Sequence, residues 1–259
     1  MARRLGQHFI TDQRLLKRIV EAASLCSGDV VLEIGAGYGS LTELLCNHAG
    51  KVIAIEKDTV LVSHLNNIEA DNLEIIHADA LEVDFPYFNK IVSNLPYQIS
   101  SPITFKFFKY DFDLAVLMYQ YEFAKRISAQ TNTRDYSRLS VAAQYFADAR
   151  ILFKVPKNVF KPPPAVNSAV VSMRIKKTPR GALDEDFFLD VVRASFAHRR
   201  KKLKNSLLAN LAINRETLKE VPISLLNRRA ETLNLTEFIQ LSNTLIASQS
   251  RVTGTLITA

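Results

Sequence analysis

The residue types with the most specific chemistry form the segment Asn94-Leu95-Pro96-Tyr97, which follows a short apolar run. An exocyclic amine on a nucleobase is a poor nucleophile because its lone pair is delocalised into the ring. The Asn94 amide oxygen and the Leu95 main-chain carbonyl could accept its N–H groups and draw the nitrogen toward tetrahedral geometry, since Pro96 fixes the carbonyl direction. Tyr97 offers a flat face on which an extruded base could stack. A loop turn with a buried tyrosine is the structural alternative.

Three glycines, Gly35, Gly37 and Gly39, follow the first apolar run and lead into a helical pattern. Glycine permits the positive φ and the close backbone approach that a turn beneath a ligand requires. The spacing is G-x-G-x-G, with Ser40 at the place of the third glycine of the dinucleotide fingerprint. A purely structural turn is also compatible with this pattern.

Acidic residues follow the next two apolar runs. Glu56 ends the second run, where a carboxylate could accept both hydroxyls of a ribose. Asp79, followed by Ala80, ends the third and could accept from an adenine amino group. Taken singly, an acid after a strand often caps a helix. Because three strand ends converge on one crevice, we interpret them together as a ligand site.

The ligand that fits these residues is a nucleoside with a short charged tail. The incomplete glycine fingerprint and the absence of arginine near Glu56 argue against a dinucleotide. S-adenosyl-L-methionine is such a nucleoside, and its sulfonium needs no metal to transfer a methyl group. We expect no metal site and no strong general base, so proximity, orientation and lone-pair activation would account for most of the rate.

The elements that must position these residues are short apolar runs alternating with helical patterns, which predict a doubly wound, mostly parallel sheet. The runs are Val30 to Ile34, Val52 to Ile55, Leu73 to Ile76, Ile91 to Ser93, Leu114 to Met118, Ile151 to Val155 and Ala169 to Ile175. The last two enclose a proline-rich loop at the sheet edge and could pair antiparallel. We therefore expect an α/β, Rossmann-like methyltransferase fold with a seven-stranded sheet.

Composition changes at the breaker cluster Thr178 to Gly181, after which the pattern is helical. We expect a catalytic domain over residues 1–178 and a small all-helical RNA- or ribosome-binding domain over 179–259. The net charge is +7 and the pI about 9.4. From Lys177 onward, 13 Lys and Arg stand against 8 Asp and Glu, so the excess positive charge lies in the last third. This favours a polyanionic partner, although a basic enzyme without one is the alternative.

A basic run is predicted on a helix of the second domain, as a phosphate-binding face or as an ordinary solvated face. Its residues are Arg199, Arg200, Lys201, Lys202 and Lys204. Further basic residues that could extend an RNA surface are Arg3, Arg4, Lys106, Lys109, Lys125, Arg126, Lys154, Lys157 and Lys161. The two cysteines, the lack of a signal peptide and the absence of a run long enough to span a bilayer predict a soluble, cytoplasmic protein. We also expect it to be a monomer.

Together these motifs resemble the ribosomal RNA adenine N6,N6-dimethyltransferase family, the small-subunit dimethyladenosine transferases, over nearly the whole chain. The matching segments are Gly6 to Ile10, the glycine turn, Glu56, Asp79-Ala80, Asn94 to Tyr97, Phe160 to Pro164 with Val166 and Ser168, and Phe196 to Leu207. The continuation Gln98 to Pro102 looks closer to the archaeal and eukaryotic branch than to the bacterial one.

The resemblance implies a role for each matching position. His8 and Ile10 would close over the methionine part of the cofactor, although many relatives carry Asn and Leu there. Phe160 would add a second aromatic face to the target base beside Asn94 and Tyr97. The cofactor contacts expected in all are His8, Ile10, Gly35, Gly37, Gly39, Glu56, Asp79, Ala80 and Asn94.

The implied substrate is a pair of adjacent adenosines in the hairpin loop near the 3′ end of small-subunit rRNA, each methylated twice during ribosome maturation. The partner is then small-subunit rRNA or the pre-small ribosomal subunit. Three alternatives stay open: a large-subunit rRNA adenine methyltransferase of the resistance type, a mainly non-catalytic ribosome-assembly or transcription factor, and a DNA adenine methyltransferase.

Overall fold

The protein is described by a computed structural model that covers residues 8–177, 179–211 and 213–254, with backbone alone for 250–254. A seven-stranded sheet forms the centre of its first compact unit, residues 8–125 and 147–175. Its strands are β2 (Val30–Ile34), β3 (Lys51–Glu56), β4 (Leu73–His77), β5 (Lys90–Asn94), β6 (Leu114–Gln120), β7 (Ala147–Val155) and β9 (Ser168–Ile175). Two short strands outside this sheet are β1 (Phe9–Ile10) and β8 (Phe160–Lys161). Each apolar run predicted as a strand is a strand.

The strand order is β4-β3-β2-β5-β6-β9-β7. Strands β2 to β6 are parallel, whereas β9 pairs antiparallel with both β6 and β7. Parallel strands place their carboxyl ends at one edge, and the order reverses between β2 and β5, the topological switch point where such sheets bind ligands. The predicted α/β class and the antiparallel pairing of the last two runs are confirmed.

Helices pack on the sheet through apolar faces. They are α1 (Gln13–Ala23), α2 (Ser40–Cys46), α3 (Thr59–Leu65), α4 (Ser100–Phe107) and α5 (Tyr121–Ile127). Asp12 caps α1 by accepting from the main-chain N–H groups of Arg14 and Leu15. The buried stripe of α1, which includes Leu16 and Ile19, joins the core formed with β5 and β6.

The predicted proline-rich loop contains a feature that the sequence pattern does not indicate. Strand β8 within it pairs antiparallel with β1, and the Lys161–Pro162 peptide bond is cis. The pairing places Phe9 opposite Lys161 and Ile10 opposite Phe160. A strand of two residues is too short to show the alternation of apolar and polar side chains that predicts a strand, so the sequence pattern does not indicate the two-stranded ribbon of β1 and β8.

A second compact unit consists of residues 126–146 and 176–254. Its helices are α6 (Arg138–Phe146), α7 (Glu185–Phe196), α8 (Leu203–Asn210), α9 (Ile223–Leu226) and α10 (Leu235–Gly254). Residues 126–146, assigned to the first domain from sequence, group here because Tyr145 stacks on Phe188 at 4.3 Å and Tyr136 packs edge-on against Phe196. No helix among the described residues is long and apolar enough to cross a membrane.

Candidate active site

A cavity of about 930 Å³ lies at the carboxyl edge of the parallel strands. Its volume is within the range of small-molecule sites, about 300–1,000 Å³. The structure brings together in its lining nearly all residues that the sequence analysis predicted for the cofactor and the acceptor. These are His8, Ile10, Gly35, Gly37, Glu56, Asp79, Ala80, Asn94, Leu95, Pro96 and Tyr97.

The glycine turn forms the floor of this cavity. Gly35 and Gly37 have φ values of 72° and 64°, in the left-handed region that favours glycine. A Cβ atom on Gly35 would lie 2.9 Å from the Cγ atom of Pro96. The absence of a side chain on Gly35 therefore allows the segment that contains Pro96 to approach the glycine turn closely. Gly39 (φ 87°) stands at the start of α2 and does not line the cavity.

Glu56 holds the glycine turn in place as well as facing the cavity. Its Oε2 accepts from the Gly37 N–H at 3.0 Å, and its Oε1 accepts from the N–H groups of Lys57 and Asp58 at 2.9 and 3.0 Å. A carboxylate offers about four acceptor positions. The main chain thus occupies three, and the remaining acceptor capacity is available to a ligand hydroxyl.

Asp79 both caps a turn and carries an ion pair. Its Oδ1 accepts from the Leu81 N–H at 2.9 Å, and its Oδ2 lies 2.6 Å from the ammonium of Lys57. The hydrogen bond from Lys57 is the largest favourable influence that holds the pKa of the Asp79 carboxyl below its usual value. No helix begins in the described residues between β4 and β5, so the helix cap weighed as the alternative is not what Asp79 forms, and its carboxylate instead caps a turn and lines the cavity.

Lys106 supports the loop that contains Asp79 and Ala80. Its ammonium donates to the main-chain carbonyls of Ala80, at 2.9 Å, and Val83. It also lies 4.4 Å from the centre of the Phe85 ring. Because its charge is used inside the fold, the expectation that Lys106 extends an RNA surface is wrong in this structure.

Asn94 is the last residue of β5, and its side-chain nitrogen and oxygen have different surroundings. Its Nδ2 donates to the main-chain carbonyl of His8 at 3.2 Å. No donor among the described residues reaches the Asn94 Oδ1 or the main-chain carbonyl of Leu95. Both residues line the cavity. The two acceptors that the sequence analysis assigned to an amine are thus available together.

Tyr97 is positioned by its hydroxyl. Its Oη lies 2.5 Å from the Oγ of Ser168 on β9, and its ring centre lies 5.7 Å from that of His8. Burial raises the pKa of the Tyr97 phenol. The ring is therefore held at the cavity wall in its neutral form.

Phe160 does not occupy the place predicted for it. Its side chain is only 2% exposed and belongs to the apolar core with Ile10, Leu16 and Val155. The pairing of β8 with β1 directs this ring toward the core, and it does not line the cavity. The expectation that Phe160 offers a second face to a base is therefore not met in this structure.

The segment 8–11 closes one side of the cavity. The Nδ1 of His8 lies 2.7 Å from the carbonyl oxygen of Pro162, and the Thr11 N–H donates to the carbonyl of Val159 at 3.0 Å. The Phe9 ring packs against Tyr38 at 4.6 Å. Arg3, Arg4, Gly6 and Gln7, which the sequence analysis also singled out, lie outside the described residues.

Glu33 is a cavity residue that the sequence analysis did not assign. It is 2% exposed, and its Oε2 accepts from the Thr42 hydroxyl at 2.7 Å. Burial raises the pKa of its carboxyl to about 8, and the charge of Glu56 adds to the effect. The signal in the sequence was an acidic residue inside an otherwise apolar strand.

Four residues of the basic run, Arg199 to Lys202, lie in a turn, so the predicted helix is wrong for them, whereas Lys204 does lie on a helix, α8. Helix α7 ends at Phe196 and α8 begins at Leu203, with the turn 197–202 between them. The helices pack through a hydrogen bond from Ser206 Oγ to the carbonyl of Ala194 at 2.8 Å, which requires the chain to reverse. Phe196, the last residue of α7, and Leu203, the first of α8, are seven positions apart, a spacing that also fits one continuous helix.

The basic side chains of this turn, and that of Lys204 on α8, are exposed but not equally available. Arg199 donates to Glu231 at 3.0 Å and to the carbonyl of Arg134 at 2.6 Å. Lys202 donates to the Asn227 side chain at 3.3 Å. Arg200, Lys201 and Lys204 have no such partner among the described residues.

Known proteins resemble this chain over almost all of its length. The family model "Ribosomal RNA adenine dimethylase" matches residues 1–246. The probable ribosomal RNA small subunit methyltransferase A of Methanosarcina acetivorans is 51% identical over 252 residues, 95% of this chain and 94% of the relative. The protein of the same name from Methanococcoides burtonii is 49% identical over 251 residues, 94% and 93% of the two chains.

Two solved structures resemble this chain over most of its length. A dimethyladenosine transferase from Plasmodium falciparum superposes with a TM-score of 0.79 at 28% identity, covering 94% of this chain and 98% of that one. The 23S rRNA methyltransferase ErmE gives a TM-score of 0.65 at 27% identity, covering 92% and 99%. The predicted Rossmann-like methyltransferase fold and the resemblance drawn from the motifs are confirmed, and the chain belongs to the ribosomal RNA adenine dimethylase family.

Proposed function

We propose that the protein transfers methyl groups from S-adenosyl-L-methionine to N6 of two adjacent adenosines in the 3′-terminal hairpin loop of small-subunit rRNA, giving N6,N6-dimethyladenosine during ribosome biogenesis. The observation that carries this proposal is the pair of acceptors, Asn94 Oδ1 and the Leu95 carbonyl, with no donor among the described residues. The names of the archaeal relatives support small-subunit rRNA as the substrate.

The residues of the cavity fit the proposed cofactor. Glu56 retains acceptor capacity for a ribose hydroxyl, Asp79 and Ala80 border the place for the adenine, and His8 and Ile10 cover the side where the methionine part would lie. The bound cofactor supplies an electrophilic methyl group on its sulfonium.

The chain's own residues then position and activate the amine. Tyr97 offers its ring to an extruded adenine, and extrusion is required because the amino group is inaccessible within a stack. Asn94 Oδ1 and the Leu95 carbonyl accept from the two N–H groups and localise the nitrogen lone pair. The His8 carbonyl keeps the Asn94 amide turned so that its oxygen, not its nitrogen, faces the amine. The product ammonium loses its proton to water, so the site needs no strong base.

The exposed turn 197–202 together with Lys204 is our candidate for phosphate contact in rRNA, with Arg200, Lys201 and Lys204 as its freest cations. We further propose that the protein acts as a monomer in the cytoplasm. The unpaired state of Cys26 and Cys46 supports a reducing compartment.

The deciding experiment supplies labelled S-adenosyl-L-methionine with unmethylated small subunits, large subunits, naked rRNA and duplex DNA, and maps the modified bases. We expect label at two adjacent adenosines of small-subunit rRNA. Label confined to large-subunit RNA or to DNA would overturn the substrate assignment. Asn94→Ala should bind small subunits like the wild type but lose methylation, and retained activity would contradict the lone-pair argument.

A further inference from the structure

A second group of aromatic and basic side chains lies at the same carboxyl edge of the sheet, outside the cavity lining. We call Tyr121, Lys125 and Lys154 the Tyr121 cluster. The Nζ of Lys154 lies 4.6 Å from the centre of the Tyr121 ring, and that of Lys125 lies 5.4 Å from it. Ammonium groups within about 6 Å of a ring centre are attracted by its face. One tyrosine therefore holds two positive charges over a small area.

The described residues leave part of this cluster's positive charge, that of Lys154, accessible. Lys125 pairs with Glu122 at 2.7 Å, but the Glu122 side chain is 65% exposed, and such surface pairs are weak. Lys154 is exposed, and no carboxylate among the described residues pairs with it. An anion approaching the edge can therefore reach Lys154 without displacing an acid.

The cluster lies beside the acceptor site. Ser168, whose Oγ lies 2.5 Å from the Tyr97 hydroxyl, is the common neighbour. The Tyr121 N–H donates to the main-chain carbonyl of Asn167, which precedes Ser168, at 2.9 Å. Lys154 on β7 pairs with Ala169, which follows Ser168 on β9. Side chains alternate between the faces of a sheet. Tyr97, which contacts the Ser168 side chain, and Lys154, which pairs with Ala169, therefore lie on opposite faces of the sheet at the same end of β9.

We propose that the Tyr121 cluster binds a phosphodiester of the substrate RNA adjacent to the target nucleotide, an inference that rests on the proposed function. Because Tyr97 and the cluster border the same strand end, we expect the backbone that continues from an adenine extruded toward Tyr97 to pass over it. Two lysines restrained by an aromatic ring suit a phosphate, which needs charge at a defined place and no base identity. The cluster would therefore position the RNA strand without contributing to its sequence selectivity.

The test compares Lys154→Gln and the double variant Lys125→Gln/Lys154→Gln with the wild type on unmethylated small subunits. We expect KM for the subunit to rise by about three- to tenfold. The slope of log(kcat/KM) against log salt should become shallower by about 0.7 for each lost phosphate contact. The kcat and the affinity for S-adenosylhomocysteine should not change, and Lys154→Arg should keep the wild-type KM.

The matched control is Lys51→Gln. Lys51 begins β3 at the amino end of the sheet and pairs with Glu74 at 2.6 Å, so this variant removes the same charge far from the acceptor edge. Wild-type KM and salt slope in both cluster variants, or a changed kcat at constant KM, would overturn the inference. A wild type that methylates no small-subunit RNA would contradict the proposed function instead. In that case, cosedimentation of the wild type and the cluster variants with the same subunits tests the cluster on its own, because weaker binding of the variants is expected.

Discussion

The ammonium group of Lys106 donates a hydrogen bond to the main-chain carbonyl of Ala80 at 2.9 Å and a second to the carbonyl of Val83. Lys106 belongs to α4, which follows the acceptor segment directly, whereas Ala80 belongs to the loop proposed for the cofactor's adenine. Burial lowers the pKa of this lysine, an effect that the nearby Asp84 and Asp79 oppose. One side chain thus ties the acceptor helix to the cofactor loop.

We predict that Lys106→Met raises the Kd for S-adenosyl-L-methionine about tenfold and leaves kcat at saturating cofactor within about threefold. Hydrogen bonds to a charged group contribute about 1.5–3 kcal/mol, and their loss frees the loop without touching Asn94 or Tyr97. Isothermal titration and initial rates measure the two quantities. Lys106→Arg should recover part of the affinity. Lys17→Met, on the exposed face of α1, is the control, and an equal effect there would contradict the positioning role.

We predict that Gly37→Ala loosens the segment 8–11. Gly37 has a φ of 64°, and a Cβ atom there would lie 3.0 Å from the Phe9 ring. The left-handed conformation costs a residue with a side chain about 1–2 kcal/mol, and the ring must also move. Amide hydrogen exchange at Phe9 and Thr11 should accelerate, and the free energy of unfolding should fall by about 1–2 kcal/mol.

Gly28→Ala is the matched control for this glycine. Its Cβ atom would meet only Cys26 Sγ at 3.8 Å, an ordinary contact. We expect its exchange rates and stability to equal those of the wild type. Unchanged exchange at Phe9 in Gly37→Ala would show that the segment 8–11 does not depend on the bare glycine.

The sequence predicted the sheet well because its central strands are buried on both faces and therefore read as unbroken Val, Ile and Leu runs. It also predicted that Glu56, Asp79 and Asn94 lie together, because parallel strands end at one edge, and the three residues do line one cavity there. It could not predict the burial of Phe160, which depends on the short ribbon between β1 and β8. The turn at 197–202 was likewise hidden, since side-chain spacing alone does not distinguish one helix from two packed helices.

We predict that Glu33→Gln becomes progressively more stable, relative to the wild type, as the pH rises. The folded state raises the pKa of Glu33 from 4.5 to about 8, mainly through burial. Between these values the folded protein binds a proton that the unfolded chain has lost, so the free energy of unfolding falls with rising pH. The difference between the two proteins should grow by at most about 1.4 kcal/mol per pH unit and level off above pH 8.

Urea denaturation at intervals from pH 4.5 to 9 measures this difference. Gln retains an oxygen that can accept from the Thr42 hydroxyl, so the variant isolates the charge. Thr42→Val is the companion variant, because it removes that hydrogen bond and leaves the carboxyl in place. A stability difference between Glu33→Gln and the wild type that is constant across the range would contradict the raised pKa.

The last prediction separates the ring of Tyr97 from its hydroxyl. Tyr97→Phe loses the contact with Ser168 at 2.5 Å but keeps the stacking face, so we expect kcat/KM for small subunits within about threefold of the wild type. Tyr97→Ala loses the face, and base stacking contributes about 1–3 kcal/mol, so kcat/KM should fall by roughly 10- to 100-fold. Since burial raises the pKa of this phenol, the pH–rate profile of Tyr97→Phe should match the wild type below pH 9. Ser168→Ala should behave as Tyr97→Phe does, and a much larger loss in Tyr97→Phe would mean that the hydroxyl, not the ring, acts on the adenine.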